Sequence, residues 1–297
     1  LAAGKGVTVC ETYDEAVAAI DRLAPSPKDP EAGRGGPWVV IEERLIGPEA
    51  SVIALSDGRD AVVLPPARDH KRLADGDQGP NTGGMAAYSP LANLADDAAP
   101  DIVETFHRPI LAELARRGSP FRGALYAGLM LTEDGPVLLE CNARFGDPET
   151  QAIMPRLAVA LGPLLLAAAR GHLRDARVRP GLGHGRLPTL PGATVALVLA
   201  AAGYPAQPRT GDLIDGLDAA KASGALVFHA GTARDADGTT RIAGGRVLSV
   251  VARGPDVAAA EQAASTAADM IHAPGLQRRH DIGRDVAQLA VGSGSPR

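Results

Sequence analysis

The sequence predicts an α+β fold in two unequal units, on three observations. Segments 121–131 and 137–142 are apolar and strand-like and flank the tight turn Thr132-Glu133-Asp134-Gly135-Pro136, which makes them an antiparallel hairpin. Residues 171–192 are dense in Gly, Pro and Arg and read as a linker. Past it, 194–201, 225–229 and 246–252 read as strands and 256–271 as an alanine-rich helix, together a small α+β unit. The expected division is a first domain over 1–170, the linker, a second domain over 193–291 and a frayed tail over 292–297.

Composition narrows the function classes. The 297 residues suffice for about one to three domains, and 45% hydrophobic content supports real cores. A net charge of −5 with 3% aromatics argues against a surface that tracks phosphates or stacks bases, so nucleic acid is not an expected partner. No apolar run approaches the roughly eighteen residues that cross a bilayer, and the start LAAGKGV lacks a basic segment followed by an apolar one. No membrane association is expected, and the expected location is the cytoplasm. Cys10 and Cys141 offer neither a disulfide framework nor a Cys-rich zinc site and are read as packing residues.

In order, the chain opens on Gly4-Lys5-Gly6. Glycines flanking a lysine let backbone N–H groups approach a phosphate while the ammonium adds charge, but no Ser or Thr follows, so the Walker pattern is absent and an ordinary turn competes. Residues 7–10 are strand-like, and 12–23 read as a helix with a Thr12/Glu15 capping box and an apolar face of Ala16, Val17, Ile20 and Leu23. After a Pro- and Gly-rich loop, 38–43 form a strand ending in Glu42 and Glu43, and Gly47-Pro48-Glu49 turns the chain into a strand over 51–55. Those acids are either solvated strand ends or, with the free backbone edge, groups for an adenine and a ribose diol. Another strand covers 61–64. Residues 65–90 show little apolar periodicity and many reactive groups, and are read as a functional loop able to cradle an anionic or amino-acid substrate. An amphipathic helix over 101–117, with Ile102, Phe106, Ile110, Leu111 and Leu114 inward, kinks at Pro109 and stops at Gly118. Helices over 147–161, interrupted by Pro155, and over 163–170 follow the hairpin.

The chemistry concentrates in 137–150, VLLECNARFGDPET. Alternation along a strand sets Leu138, Glu140, Asn142 and Arg144 on one face. A carboxylate and an amide carbonyl two residues apart offer Mg²⁺ two oxygen ligands, with phosphates and water to complete its octahedron. Arg144 then faces the anion that such a metal carries; a plain polar strand end is the competing reading. Asp147 at the N-cap, Pro148 at the first helical position and Glu149 in the first turn mark a helix start. Two acids beside that row exceed the needs of a cap.

Side by side, these stretches resemble the motifs of glycinamide ribonucleotide synthetase, also called phosphoribosylamine–glycine ligase, a family of the ATP-grasp superfamily. LAAGKGV, VVIEE with LIGPEAS, DHKR, GPNTGGM, LYAGLM and ECNARFGDPETQ come in the family's order and spacing, and AAGYP, RTGD, FHAGT, GGRVLSV and DIG match its C-terminal domain. The resemblance implies an ATP-grasp fold, incomplete at its N-terminus, followed by a small α+β domain, and a monomer acting on small molecules. It implies that the glycine carboxylate attacks the γ-phosphate of ATP and that the amine of 5-phosphoribosylamine captures the acyl phosphate, a step of de novo purine biosynthesis. By the same resemblance Glu140 and Asn142 hold Mg²⁺ or Mn²⁺ on the ATP phosphates, and Gly4, Lys5 and Gly6 close over them. Glu42, Glu43 and the backbone beside them meet the adenine, and Glu49 the ribose. Arg144, Lys71 and Asp147 act on the reacting groups, Arg144 steadying the acyl phosphate. Asp69, His70, Arg72, Asn81, Thr82, Gly83 and Glu149 orient glycine and 5-phosphoribosylamine.

The chain also departs from the family. The family's N-terminal domain, and an upstream strand with a further phosphate-contacting lysine, are absent ahead of LAAGKGV. Ala86 stands where a glycine is expected after TGGM, and Arg44 where a hydrophobic residue is expected. The strand at 126–129 supplies no further acid, so two protein ligands to the metal are expected. The rival readings are another ATP-grasp carboxylate–amine ligase or biotin-carboxylase-like enzyme, which should lack GPNTGGM and FGDPETQ, and a catalytically incompetent nucleotide-binding fragment.

Overall fold

The computed structural model describes residues 7–23, 39–174 and 185–284. Gly4, Lys5, Gly6, Trp38, part of the expected linker (175–184) and the expected tail lie outside the described residues.

Helix α1 (Tyr13–Leu23) begins where its capping residues dictate. The Glu15 N–H donates to Thr12 Oγ1 (3.3 Å), while the Glu15 carboxylate accepts from the Glu11 N–H (2.8 Å), one residue earlier than in the expected box. Ala19 is buried and Val17, expected inward, is exposed. Residues 7–10 and 39–43 are not strands: among the described residues none pairs with them, and Val40 and Ile41 face solvent. Strand propensity expresses fit to a half-buried pleated surface, and here no such surface lies alongside.

From Glu49 the chain builds sheets. β1 (Glu49–Asp57) and β2 (Ala61–Val63) match the expected strands, β1 running longer at both ends. β3 (Arg68–Ala74) and β4 (Gln78–Ser89) then form a hairpin, which corrects the loop expected over 65–90. A strand as polar as Arg-Asp-His-Lys-Arg can be buried because Arg68 finds internal acceptors: Glu49 O (2.7 Å), Tyr88 Oη (2.9 Å) and Asn93 Oδ1 (2.9 Å). α2 (Ala99–Ile102), a π-helical stretch Val103–His107 and α3 (Arg108–Arg116) make the expected amphipathic helix, the wide turn accommodating Pro109, which has no N–H for the α ladder. Gly118, at φ +78°, follows its end.

β5 (Arg122–Thr132) and β6 (Gly135–Asn142) are the expected hairpin. The helix expected over 147–161 is reduced to α4 (Glu149–Ile153) and a 3₁₀ turn through Pro155, and α5 (Leu161–Arg170) follows. The C-terminal part comprises β7 (Ala193–Ala200), α6 (Leu217–Ala222), β8 (Leu226–His229), β9 (Thr232–Arg234), β10 (Thr240–Ile242), β11 (Arg246–Gly254) and α7 (Val257–Ala268). Asp256 caps α7, its Oδ1 accepting the Ala259 N–H (2.8 Å). α6 and the β9–β10 pair are too short for periodicity to reveal.

The strand orders are β2-β1-β5-β6 in one antiparallel sheet and β3-β4-β7-β11-β8 in the other, with β9 and β10 a separate pair. Strands from both sides of 171–192 therefore share a sheet. Val52, Ala54, Leu125 and Leu129 of the first sheet pack with Tyr88, Val195 and Leu197 of the second into one core, closed by α2, α3 and α7. The other face of the first sheet, with Ile53, Leu55 and Tyr126, packs on Leu164 and Ala168 of α5. α4 lies on the opposite side of the second sheet through Ala152, against Ala87, Ala196 and Val251. Its N-terminal end thereby comes up to β1.

A buried ion pair ties this junction. Arg156 donates to Asp96 (2.9 and 3.2 Å) and to Ser89 Oγ (2.7 Å), with only 5% of its side chain exposed. Arg156→Met should lower unfolding free energy by about 3 kcal/mol in urea titrations, because Asp96 loses its counter-charge, and a loss under about 1 kcal/mol would show that the pair contributes little.

Candidate active site

The site begins as a change of character along β1, Glu-Ala-Ser-Val-Ile-Ala-Leu. Ile53 and Leu55 of one face are core, whereas Glu49 and Ser51, on the same face one step nearer the N-terminus, are polar. Gly128 of β5 lies opposite Ser51 and Tyr126 opposite Ile53, and these two in turn pair with Glu140 and Asn142 of β6. The β5–β6 register shifts between Gly128 and Leu129, so that Leu129 pairs with Leu138 and Gly128 with Glu140. This bulge corrects the expected row: Leu138 packs into the core, and only Glu140 and Asn142 stay together on the polar face. A β-carbon on Gly128 would lie 3.1 Å from Glu140 Cγ and 3.3 Å from the Tyr126 ring, so the glycine leaves both side chains their room.

Three further groups close on that face. Ser51 Oγ lies 2.8 Å from Tyr126 Oη and donates to Glu149 Oε1 (3.1 Å), which brings in the first residue of α4, 3% exposed. Gly146 makes the approach possible, since a β-carbon there would sit 2.6 Å from the Glu149 carboxylate. β3 supplies Asp69 and Lys71, alternate residues of one face, and Lys71 Nζ bonds Glu49 Oε2 (2.6 Å).

The charges are strongly coupled. Burial pushes the Asp69 carboxyl up to about 7, Glu149 and Glu49 add to the rise, and Lys71 opposes it. For Lys71 burial disfavours the charge, but Asp69, Glu49 and Glu140 more than offset it and hold the ammonium above the ordinary lysine range. Burial, then Glu149 and Asp69, raise the Tyr126 phenol well above its usual value, so it stays protonated and able to donate. Asn142 presents an amide whose Nδ2 is buried without a partner among the described residues. That end of the amide is not spent on holding the protein together.

The remaining expected residues divide. Arg144 is exposed beside this face, donating to Phe145 O (2.9 Å) with its guanidinium 6.0 Å from the Tyr126 ring centre. Thr82 turns its hydroxyl to Lys71 O (2.8 Å) and accepts the Gly84 N–H (3.0 Å), which shapes the hairpin, while Arg72 donates to Gly79 O (2.8 Å) and pairs in register with Asn81. His70 is turned from Asp69 and Lys71 and buried beside Tyr88, ring centres 5.9 Å apart. Asp147 does not cap α4, whose N-cap is Pro148; its carboxylate and carbonyl are taken by Arg246 (3.2 and 2.8 Å). Arg246 also bonds Gly83 O (2.8 Å). Glu42 and Glu43 are exposed on the unpaired 39–46 segment, and Gly4, Lys5 and Gly6 lie outside the described residues. Cys141 is exposed rather than packed, its thiol pushed up by partial desolvation and then by Glu140. No cluster of three or more His, Cys, Asp and Glu suited to a metal occurs among the described residues.

Ser51, Tyr126, Arg246 and Tyr204, whose hydroxyl accepts the Gly83 N–H (3.0 Å), are participants that sequence reasoning misses. A hydroxyl set between apolar strand residues is the signal for the first two; Arg246 and Tyr204 give none beyond the motifs that contain them. Shape is no guide either, since the open hollow lined by Leu213, Asp215, His272 and Pro274 holds none of these groups.

Because folding raises the Asp69 pKa from 3.8 to about 7, the folded chain binds the extra proton and stability falls as pH rises across that interval. Asp69→Asn should abolish this slope and exceed the parent in stability at pH 8 by at least about 1 kcal/mol in urea titrations. An unchanged slope between about pH 4 and pH 7 would contradict the burial of that carboxyl.

Comparison with known proteins follows the same lines. Residues 1–150 match the family model of the phosphoribosylglycinamide synthetase ATP-grasp (A) domain, and 194–285 that of its C domain. The phosphoribosylamine–glycine ligase of Rhodopirellula baltica is 44% identical over 283 residues, 95% of this chain and 62% of that protein. That of Mycobacterium leprae is 45% identical over 288 residues, 97% and 63% respectively. Among solved structures, the phosphoribosylamine–glycine ligase of Thermotoga maritima superposes with a TM-score of 0.78 at 35% identity, over 95% of this chain and 66% of that one. The biotin carboxylase domain of Hydrogenobacter thermophilus 2-oxoglutarate carboxylase, solved with MgADP and bicarbonate, superposes with a TM-score of 0.61 at 13% identity over 97% and 57%, a likeness of fold alone. The chain spans a little under two thirds of the length of these ligases.

Proposed function

We propose, for a chain that belongs to the phosphoribosylglycinamide synthetase family and has its ATP-grasp fold, the ATP-dependent ligation of glycine to 5-phosphoribosylamine. The observation that carries the site assignment is the imbalance of charge. Glu49, Asp69 and Glu140 gather around a single ammonium, Lys71, with Glu149 beside Asp69. Such a set favours cations, and the reaction brings two: a divalent ion with ATP, and the ammonium of glycine.

Glu140 and Asn142 would hold the Mg²⁺ or Mn²⁺, two oxygen donors being what such an ion commonly takes from protein. When bound, the ion would screen the phosphate charges that repel an incoming carboxylate. The rest falls to side chains. Asp69 and Glu149 would fix the glycine ammonium, leaving its carboxylate free to attack the γ-phosphorus as ADP departs. Arg144, exposed and beside the same face, would steady the resulting acyl phosphate. The amine of 5-phosphoribosylamine then attacks the acyl carbon, phosphate leaves and the nitrogen loses a proton. Lys71, Asp147 and the hairpin residues Arg72, Asn81, Thr82 and Gly83 would align this second acceptor; His70, buried away from that face, would not reach it. Glu42 and Glu43 would meet the adenine, Glu49 the ribose, and Gly4, Lys5 and Gly6 the phosphates. On this reading the chain works in the cytoplasm as a monomer; no helix among its described residues is long and apolar enough to cross a membrane.

Phosphate release in the presence of ATP and Mg²⁺ should require glycine and 5-phosphoribosylamine together, and release indifferent to both would discard the ligase reading. Glu140→Gln should keep its circular-dichroism spectrum while losing Mg²⁺-dependent ATP turnover by at least about a hundredfold, the scale expected for a displaced metal. Turnover equal to the parent's would remove Glu140 from the metal site.

A further inference from the structure

We propose that Arg246 is a positioning residue that fastens together the two segments bearing the substrate groups, an inference that rests on the ligase reading above. Arg246 opens β11, 99 residues from Asp147 and 163 from Gly83 along the chain. Its Nη1 donates to Gly83 O (2.8 Å) and Asp147 O (2.8 Å), with Asp147 Oδ1 (3.2 Å) and Gly84 O (3.5 Å) at longer range. One guanidinium thus joins the GPNTGGM stretch of β4 to the turn that leads into α4. Its side chain keeps 25% exposure, so it works at the rim of the site rather than inside a core.

Local chemistry fits this role at each contact. A β-carbon on Gly83 would come within 3.1 Å of the Arg246 guanidinium carbon, so glycine is what lets the flat group lie against the backbone. Tyr204 Oη accepts the Gly83 N–H (3.0 Å), so a second C-terminal residue holds the same stretch from its other side. Gly84, at φ +114°, has the Pro148 ring where its β-carbon would be (2.5 Å), which brings the two segments into direct contact. Carbonyl oxygens repel one another when crowded, and Gly83 O and Asp147 O need a shared donor to remain close. The two N–H bonds of Nη1, fixed in the guanidinium plane, answer that; a lysine ammonium is a single point of charge on a flexible stem. What hangs on the clamp is Glu149, two residues past Asp147, and Asn81 and Thr82, just before Gly83. Groups on slack segments must be ordered when the substrate binds, and that cost is taken from affinity, so slack here reads out first in the KM of the substrate they hold.

The test uses Arg246→Met, Arg246→Lys and Tyr204→Phe in the whole chain, with amide hydrogen exchange followed by mass spectrometry on the free protein. Arg246→Met should raise exchange in 79–85 and 145–150 together, by about tenfold or more, and leave β7 peptides unchanged. Arg246→Lys should fall between, and Tyr204→Phe should loosen 79–85 alone. In steady-state assays Arg246→Met should raise KM for glycine or 5-phosphoribosylamine about tenfold, lower kcat less and leave KM for ATP within about twofold. Unchanged exchange in either segment, or a fall in kcat at constant KM, would overturn the clamp. A parent chain with no glycine-dependent phosphate release would sink the ligase reading instead, and the exchange data would still decide whether Arg246 joins the two segments.

Discussion

One ammonium keeps the acids of the candidate site together. Lys71 bonds Glu49 directly and feels Asp69 and Glu140 strongly enough to stay charged in spite of burial. Like charges at short range repel by several kcal/mol at protein-like dielectric, so without Lys71 the carboxylates would spread into solvent or take up protons. Asp69 does part of the latter, its carboxyl reaching about 7. The free chain is therefore short of positive charge where β1, β3, β6 and α4 meet, and under the proposed function that shortage is what a divalent ion and an amino acid's ammonium would relieve.

The two sheets exist, from the point of view of the site, to bring those four elements to one place. The first sheet contributes Glu49, Ser51, Tyr126, Glu140 and Asn142 from a face whose other half is ordinary core. The second contributes Asp69 and Lys71 from a hairpin whose reverse side is buried through Arg68, His70 and Tyr88. α4, packed on the second sheet by Ala152, carries Glu149 back to Ser51 of the first. A single extra residue in β6 sets the outcome, since it puts Leu138 in the core and Glu140 beside Gly128. Precision at the site thus comes from strand register and packing rather than from loops.

Much of this was readable in the residues, and the failures have physical reasons. The β5–β6 hairpin, β1, α1 and the helix kinked at Pro109 follow from turn chemistry, caps and apolar spacing, all of which are local. Residues 65–90 misled because β3 alternates polar with polar: one side serves the site, and the other is buried through hydrogen bonds, so hydrophobic periodicity is blind to it. Residues 39–43 misled in the opposite sense, being apolar and β-branched with no described neighbour to pair with. Glu140 and Asn142 were found together because they lie two apart on one strand. Ser51, Tyr126 and Arg246 meet their partners only through the fold, and no spacing in the chain announces them. Asp147 has the position of a helix cap, but a distant arginine claims it.

The proposed function turns on one ion held by Glu140 and Asn142, so its position is the point to examine. Crystals of the chain grown with Mn²⁺ and a non-hydrolysable ATP analogue would show it by anomalous scattering. The account predicts a peak at roughly 2.1 Å from both a Glu140 carboxylate oxygen and Asn142 Oδ1, bridging to the triphosphate. A nucleotide-bound ion that touches neither side chain would contradict it.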